Sequence, residues 1–406
     1  MVDRDKANRD ALTACAVLGA FFVALTSGLY LWRLDWSHAI PRDGSSLVVG
    51  RDFLNFWMYG RAAVLPDPGE WYDPLQYARA LTSIVGADYP GQNWSYPPSM
   101  MLLMAPFGRL GYLPALGGWM LLSLAVFLPV AWRYLGAPRA MLAVMCAPAA
   151  IFALMSGQLS FVATALLLGA FMLLDRRPLV AGLLIGCLTI KPHLGILLPL
   201  MLAASGRWQV FAAATVTALG IVGISVVLFG VQPWIDYIGV GLPVQNIVLN
   251  DAAGVATPFY PTLFMNLRGA GLSYGPAMTI QVALSLAAAA LVLWAFRHRR
   301  DADPRLLVAL FFACSLAALP YVLVYDTLPL CVAAMALLAS GALDARGRLL
   351  ARLVFWLPLL QIGLGSVWIP GPALIAPGFA VCLFLQIKNA PVARPKAGAA
   401  IRVAAA

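Results

Sequence analysis

Several charged and polar residues interrupt an otherwise strongly apolar chain. Lys191 and His193 stand between two apolar stretches, Asp326 begins another, and Gln158 lies at a turn. Asp52 lies in a long polar segment near the N-terminus. Ionisable groups at membrane depth are costly and usually functional; a carboxylate can act as a general base, and a cation can bind phosphate. These five residues are therefore our first candidates for a site.

Each candidate also has a purely structural interpretation. Asp52 can pair with a neighbouring arginine or cap a helix, and Lys191 can extend its amine to the membrane interface. His193 can be a satisfied residue at a helix end, and Asp326 can be an ion-pair partner. Tyr96, which precedes two prolines, can belong to a rigid turn. The residue types alone leave both interpretations open.

The composition is that of an integral membrane protein. Hydrophobic residues make up 62% of the 406 residues, and charged residues only 11%. Apolar runs as long as a membrane helix recur along the chain, so we expect an all-α polytopic fold. The net charge of +10 resides mainly in short loops, which indicates membrane topology rather than nucleic-acid binding. The six cysteines lie in apolar runs without CxxC spacing, so we expect neither a disulfide framework nor a metal site.

Twelve helical spans account for the apolar runs. They are Ala11–Trp32, Leu113–Tyr134, Arg139–Met155, Gln158–Leu174, Pro178–Ile190, His193–Ala204, Arg207–Phe229, Gly275–Phe296, Arg305–Val324, Thr327–Leu343, Leu349–Val367 and Pro370–Ile387.

The cationic residues predict the orientation of these spans. Placing both termini in the cytoplasm leaves most of the 27 Lys and Arg residues in cytoplasmic loops. We therefore expect residues 1–406 to form one membrane domain. Residues 33–112 are then an external loop that carries the active-site face, and residues 388–406 are a disordered cytoplasmic tail.

The external loop has the pattern of a helix lying in the membrane interface. Within Ser45–Leu65, Asp52 and Asn55 fall on a polar face, whereas Phe53 and Trp57 fall on another. We expect those two aromatic rings to face lipid.

Two segments do not fit a simple crossing. Tyr96–Gly111 is partly apolar but contains three prolines, so we expect a helix that enters the membrane without crossing it. The spans Pro178–Ile190 and His193–Ala204 are short and are broken at Lys191 and Pro192. Irregular backbone at that depth is tolerated only beside protein or a water-filled cavity, so we expect a cavity at the break.

A series of short motifs resembles family 87 of the glycosyltransferases, which are polytopic enzymes of the GT-C type. The resemblance runs from about residue 33 to residue 193, and more faintly to Asp326. The motifs are Arg51-Asp52-Phe53, Tyr59-Gly60, Trp71-Tyr72-Asp73-Pro74 with Tyr77, Tyr96-Pro97-Pro98, Gly157-Gln158 and Lys191-Pro192.

The resemblance implies an inverting transfer of a sugar, typically mannose, from a polyprenyl-phosphate sugar to a hydroxyl on the outer face of a bacterial inner membrane. Asp52 matches the acidic residue that serves as the base in such enzymes. Because the chain has no DD or DE doublet at that point, we expect no metal and no cofactor. The candidate substrate-binding residues are Lys191, His193, Arg51, Tyr59, Tyr72, Asp73, Tyr96, Gln158, Arg268 and Asp326.

The expected partners are the lipid-linked donor, a glycolipid or glycan acceptor, and membrane lipids. Two other functions remain open at this point. A transporter or flippase would also contain broken helices and buried charges, but it would place its polar residues at mid-span. A lipid-linked glycan ligase or polymerase would carry a large Arg- and His-bearing loop late in the chain, whereas Gly230–Tyr274 holds one Arg and no His.

Overall fold

The computed structural model describes residues 2–251 and 257–391. Regular secondary structure in this part of the chain is helical, with two isolated β-bridges, Asp35–Arg42 and Arg42–Val48, in the first long connection. The predicted all-α polytopic fold is confirmed. Residues 392–406 of the expected cytoplasmic tail lie outside the described residues.

Nineteen α-helices follow one another in the described residues. They are α1 (Val2–Trp32), α2 (Phe53–Ala62), α3 (Pro74–Val85), α4 (Ser99–Gly108), α5 (Tyr112–Leu135), α6 (Pro138–Met145), α7 (Pro148–Met155), α8 (Ser160–Leu173), α9 (Pro178–Gly186), α10 (Leu198–Ala204), α11 (Trp208–Phe229), α12 (Gln232–Asp236), α13 (Leu242–Asp251), α14 (Leu263–Gly269), α15 (Tyr274–His298), α16 (Pro304–Ala318), α17 (Leu328–Ala339), α18 (Ala345–Gly365) and α19 (Ile375–Asn389). Short 3-10 segments include Glu70–Tyr72, Cys187–Ile190, Pro192–Gly195, Val324–Thr327 and Gly371–Leu374.

Within residues 2–251 and 257–391, six helices are long and apolar enough to cross a membrane: α1, α5, α11, α15, α18, and α19 with the turn before it. Helices α6 and α7 reach that length together and bend by 50° where they meet. The other apolar helices are shorter. Each of the twelve predicted spans coincides with one of these helices or pairs. The number of full crossings stays a prediction, because the shorter helices do not reach across a core about 30 Å thick.

Two short helices, α16 and α17, lie inside the bundle, and three long ones, α1, α11 and α15, lie at its outside. The side chains of α16 and α17 are buried almost throughout. In contrast, the outer helices α1, α11 and α15 expose large apolar side chains, such as Phe21 at 70%, Val227 at 83% and Leu286 at 67%. Apolar surface of this extent requires lipid around it. The chain is therefore a membrane protein.

The first long connection differs from its predicted form. The predicted helix lay within Ser45–Leu65, but helix α2 begins only at Phe53. Residues 45–52 are not helical. The expectation that Phe53 and Trp57 face lipid is wrong, since they are 0% and 4% exposed. They are covered by Tyr112 on α5, whose ring lies 5.7 and 5.5 Å from theirs. A helical period of apolar residues indicates a nonpolar neighbour, and it does not distinguish lipid from protein.

The predicted break at Lys191 is present. Helix α9 ends in the 3-10 segment Cys187–Ile190, and a second 3-10 segment, Pro192–Gly195, follows before α10. The predicted helix within Tyr96–Gly111 is α4, which packs against α2.

Two glycines allow α2 and α4 to cross in direct backbone contact. A Cβ on Gly60 would collide with the carbonyl oxygen of Met104 and lie 2.7 Å from the backbone nitrogen of Gly108. A Cβ on Gly108 would collide with the backbone of Gly60. Because a backbone atom cannot rotate away as a side chain can, neither position has room for a side chain.

We expect Gly60→Ala to lower the stability of the protein by about 1–3 kcal/mol, since an overpacked contact forces backbone shifts. Gly117→Ala is the matched control, because a Cβ there meets no atom within 4 Å. Thermal unfolding in detergent should give a lower apparent Tm for Gly60→Ala only. Equal Tm values for both variants would show that the crossing is not tight.

Candidate active site

A turn with unusual backbone angles presents Asp52 at the start of α2. Gly50 and Arg51 have φ angles of +81° and +29°, and a non-glycine residue rarely adopts the latter. An ion pair of 2.6 Å between Arg51 Nε and Asp43 Oδ2 holds the turn, as does a 2.8 Å hydrogen bond from Gln92 to the Arg51 carbonyl oxygen. Asp52 makes no side-chain hydrogen bond that caps α2. Its carboxylate is therefore available for other contacts.

Gln158 and Tyr325 bind the Asp52 carboxylate. Gln158 Nε2 donates to Asp52 Oδ2 at 3.0 Å and to the Tyr325 hydroxyl oxygen at 2.9 Å. The Tyr325 hydroxyl in turn hydrogen-bonds the carboxylate. The backbone N–H of Leu159 donates to Gln158 Oε1 at 2.8 Å, which orients the amide so that its NH2 group faces Asp52. Residues from three distant parts of the chain thus meet at one carboxylate.

Lys191 and Asp326 form a buried ion pair beside this group. Their Nζ and Oδ1 atoms are 2.5 Å apart, and their side chains are only 2% and 3% exposed. The hydroxyl of Ser160 donates to the same oxygen at 3.1 Å, and His193 Nε2 lies 3.9 Å from the other one. Lys191 Nζ also lies 3.5 Å from Gln158 Oε1. One amide therefore connects the cation to the carboxylate of Asp52.

Burial raises the pKa of the Asp52 carboxyl above its ordinary value of 3.8. Hydrogen bonds from Tyr325 and Gln158 and the charge of Lys191 act in the opposite direction but do not outweigh the loss of water. A carboxylate with a raised pKa is a stronger base near neutral pH. The residue as a whole is half-buried.

A group of aromatic rings positions Tyr96. The hydroxyls of Tyr59 and Tyr72 donate to its carbonyl oxygen at 2.6 and 2.7 Å, and its N–H donates to the Tyr59 hydroxyl at 2.9 Å. Trp94 stacks on Tyr59 with ring centroids 3.6 Å apart. The Tyr96 hydroxyl then lies 3.4 Å from Gln158 Oε1. Tyr59 and Tyr72 are positioning residues in this arrangement.

Most of the predicted site residues thus belong to one connected cluster. The cluster contains Asp52, Tyr96, Gln158, Lys191, His193 and Asp326. Three other predicted residues have different partners. Arg51 supports the turn before α2, Asp73 caps α3 through the N–H groups of residues 75 and 76, and Arg268 donates to the carbonyl oxygens of residues 250 and 272.

Sequence analysis missed two members of the cluster, Tyr325 and Ser160. Tyr325 immediately precedes a predicted site residue and Ser160 lies two positions after another, so proximity along the chain was the available signal. A tyrosine and a serine at helix ends resemble ordinary interface residues, and only the fold reveals their contacts.

An aromatic cleft of about 330 Å³ lies beside the aromatic group that positions Tyr96. Tyr72, Tyr77 and Trp94 line it, together with the amide side chains of Gln92 and Asn93. Gln92 connects the cleft to the Asp52 turn through its bond to the Arg51 carbonyl. Its Oε1 is buried and has no hydrogen-bond partner among residues 2–251 and 257–391.

Comparison with known proteins identifies the family. The sequence model of glycosyltransferase family 87 matches residues 94–324, a segment that includes Tyr96, Gln158, Lys191 and His193 and ends just before Tyr325. No curated protein and no solved structure matches the chain. Because the matched segment covers more than half of the 406 residues, the chain belongs to glycosyltransferase family 87 and is a membrane glycosyltransferase.

Proposed function

We propose that the protein transfers a sugar, typically mannose, from a polyprenyl-phosphate donor to an acceptor hydroxyl, with inversion and with Asp52 as the general base. The observation that carries this proposal is the shared amide of Gln158, which contacts the Asp52 carboxylate on one side and the Lys191 cation on the other. A base and a phosphate-binding cation are the two groups that such a reaction requires from the protein.

The reaction needs no second carboxylate. The acceptor oxygen attacks the anomeric carbon from the face opposite the phosphate, and the bond between that carbon and the phosphate oxygen breaks. The bond's electron pair leaves with the phosphate, and Asp52 takes the proton of the acceptor hydroxyl. Lys191 and His193 stabilise the negative charge of the departing lipid phosphate.

An apolar groove of about 210 Å³ offers a place for the prenyl chain. It is lined by Leu188, Pro192, Leu198 and Phe211, among others, so it begins at the same break that holds Lys191. We propose that the donor lies with its phosphate at the break and its first prenyl units in this groove.

The aromatic cleft supports a carbohydrate acceptor. Aromatic faces pack against the apolar faces of sugar rings, and amides such as those of Gln92 and Asn93 hydrogen-bond to hydroxyls. A glycolipid or glycan bound there would reach Asp52 along the Gln92 side chain.

We propose that the cluster faces the outside of a bacterial inner membrane and that both termini are cytoplasmic. The support is the distribution of arginine and lysine, which concentrate at the opposite end of the bundle in the short loops between helices. In this orientation, residues 33–112 form an external active-site loop within a single membrane domain.

Asp52→Asn should lower turnover by at least about 100-fold, since the amide cannot accept the acceptor proton. Glu70→Gln is the matched control, because Glu70 is an exposed acid in the same connection. The measurement is transfer of radiolabel from polyprenyl-phosphate mannose to an envelope lipid extract by purified protein in detergent. Turnover near that of the unmodified protein in folded Asp52→Asn would remove Asp52 from the role of base.

The raised pKa of Asp52 predicts how kcat/KM changes at low pH. Because only the carboxylate can accept a proton, kcat/KM should fall as pH decreases through an apparent pKa above 3.8. Gln158→Leu removes a hydrogen bond that lowers this pKa, so the fall should begin at a higher pH. The measurement is kcat/KM as a function of pH for the unmodified protein and for Gln158→Leu. A fall of kcat/KM at the same or a lower pH in Gln158→Leu would contradict the prediction.

Lys191→Met should raise the donor KM by at least about 10-fold and change the acceptor KM much less, because a charged hydrogen bond to phosphate is lost. The single variant leaves the buried Asp326 carboxylate unpaired, which threatens folding. Lys191→Met/Asp326→Asn removes both charges and should restore Tm without restoring donor binding. If the double variant binds donor normally, Lys191 acts only as a structural partner.

A further inference from the structure

A second cavity lies at the opposite end of the bundle. It has a volume of about 320 Å³ and lies among the C-terminal ends of α5, α8 and α17 and the loops that precede α11 and α16. Helix α8 begins next to Gln158 and ends at this cavity, which places the two sites about 21 Å apart for a helix of 14 residues. The cavity is therefore separate from the candidate active site.

The rim of this cavity is strongly cationic. Among the described residues, its lining includes one carboxylate, that of Asp175, and five arginines: Arg133, Arg176, Arg207, Arg300 and Arg305. Asp175 is already engaged, because both its oxygens accept from Arg207 at 3.1 and 3.2 Å.

Arg133, Arg300 and Arg305 have donors left for a ligand. Arg300 donates to the carbonyl oxygens of Phe296 and Ala204 through Nε and Nη2, and its Nη1 makes no hydrogen bond to a described residue. The guanidinium groups of Arg133 and Arg305 have no ion-pair or hydrogen-bond partner in the part of the chain that the structure describes. Because Asp175 is paired with Arg207, the guanidinium groups of Arg133 and Arg305 give this rim a positive charge.

One buried hydroxyl also lacks a partner. Tyr134 lines the cavity and is 7% exposed, and its hydroxyl makes no hydrogen bond to any described residue. Buried hydroxyls are normally hydrogen-bonded, so an unpaired one in a cationic cavity indicates a ligand with acceptor oxygens. Tyr134 and Arg305 line the same cavity.

The rest of the cavity wall is apolar, and its position corresponds to the membrane surface. Phe171, Leu174 and Leu307 line its inner side. Trp132 and Trp208 adjoin two of the arginines in sequence and are 51% and 63% exposed, as is typical of tryptophans at the lipid headgroup level. A ligand with a phosphate and an attached apolar chain fits both parts of the wall.

We propose that this cavity binds the headgroup of an anionic phospholipid, with its phosphate between Arg133 and Arg305 and an oxygen accepting from Tyr134. Basic cavities between membrane helices at the cytoplasmic surface suit such lipids. A bound lipid would join the ends of α8 and α17, whose other ends lie at the candidate active site through Ser160 and Asp326. It would stabilise the bundle without touching the reacting atoms.

The test is a thermal-shift titration of the full-length protein in detergent, with native mass spectrometry to count bound lipid. The probes are dioleoyl phosphatidylglycerol, dioleoyl phosphatidylcholine and inorganic phosphate. We expect only phosphatidylglycerol to raise Tm saturably and to remain bound. Inorganic phosphate acting as well as the lipid, or phosphatidylcholine acting equally, would overturn the proposal.

Two variants assign the binding to this cavity. Arg133→Gln/Arg305→Gln should bind phosphatidylglycerol at least about 10-fold more weakly. Arg297→Gln/Arg346→Gln removes the same charge from the same end of the bundle, outside the cavity, and should bind as the unmodified protein does. Tyr134→Phe loses only an unpaired hydroxyl, so it should fold normally and bind about 3-fold more weakly. An equal loss in both double variants, or unchanged binding in Tyr134→Phe and Arg133→Gln/Arg305→Gln, would refute the site.

Discussion

The buried ion pair between Lys191 and Asp326 is the contact on which the candidate active site depends. A lysine and an aspartate that are each almost fully buried must be paired, since either charge alone would be costly in this environment. The pair joins the break between α9 and α10 to the segment before α17. The Gln158 amide then attaches the Asp52 turn to the same pair. The pairing of these two charges thus holds four separate segments together. It places the carboxylate of Asp52 and the amine of Lys191 on the same Gln158 amide.

The first long connection is built to deliver Asp52 to this pair. Helices α2 and α4 approach so closely that their backbones touch at two glycines, and an aromatic group around Tyr59 and Trp94 fills the space beside them. Tight packing of this kind leaves Asp52 few alternative positions. The turn before α2, with its positive φ at Arg51, directs the carboxylate toward Gln158. Rigid surroundings of this sort favour catalysis, because reacting groups need no reorganisation.

The two ends of the bundle have different chemistry. One end combines carboxylates, aromatic rings and the buried amine of Lys191, which suits the proposed transfer of a sugar from a phosphate. The other end presents an arginine-lined cavity in which the carboxylate of Asp175 is already paired with Arg207. Helices α8, α16 and α17 run between these ends through the apolar centre. The bundle therefore separates the proposed catalytic cluster from the proposed lipid-binding cavity.

The sequence by itself determined the membrane class, the helix at each predicted span, the break at Lys191 and most members of the cluster. These features depend on local properties: apolar length, proline positions and the cost of ionisable groups in an apolar run. The tertiary structure alone decided that Phe53 and Trp57 face protein, that Tyr325 and Ser160 join the cluster, and that Arg51 and Asp73 have structural partners. Those outcomes depend on which segments become neighbours, and periodicity cannot identify a neighbour because protein interior and lipid are equally apolar.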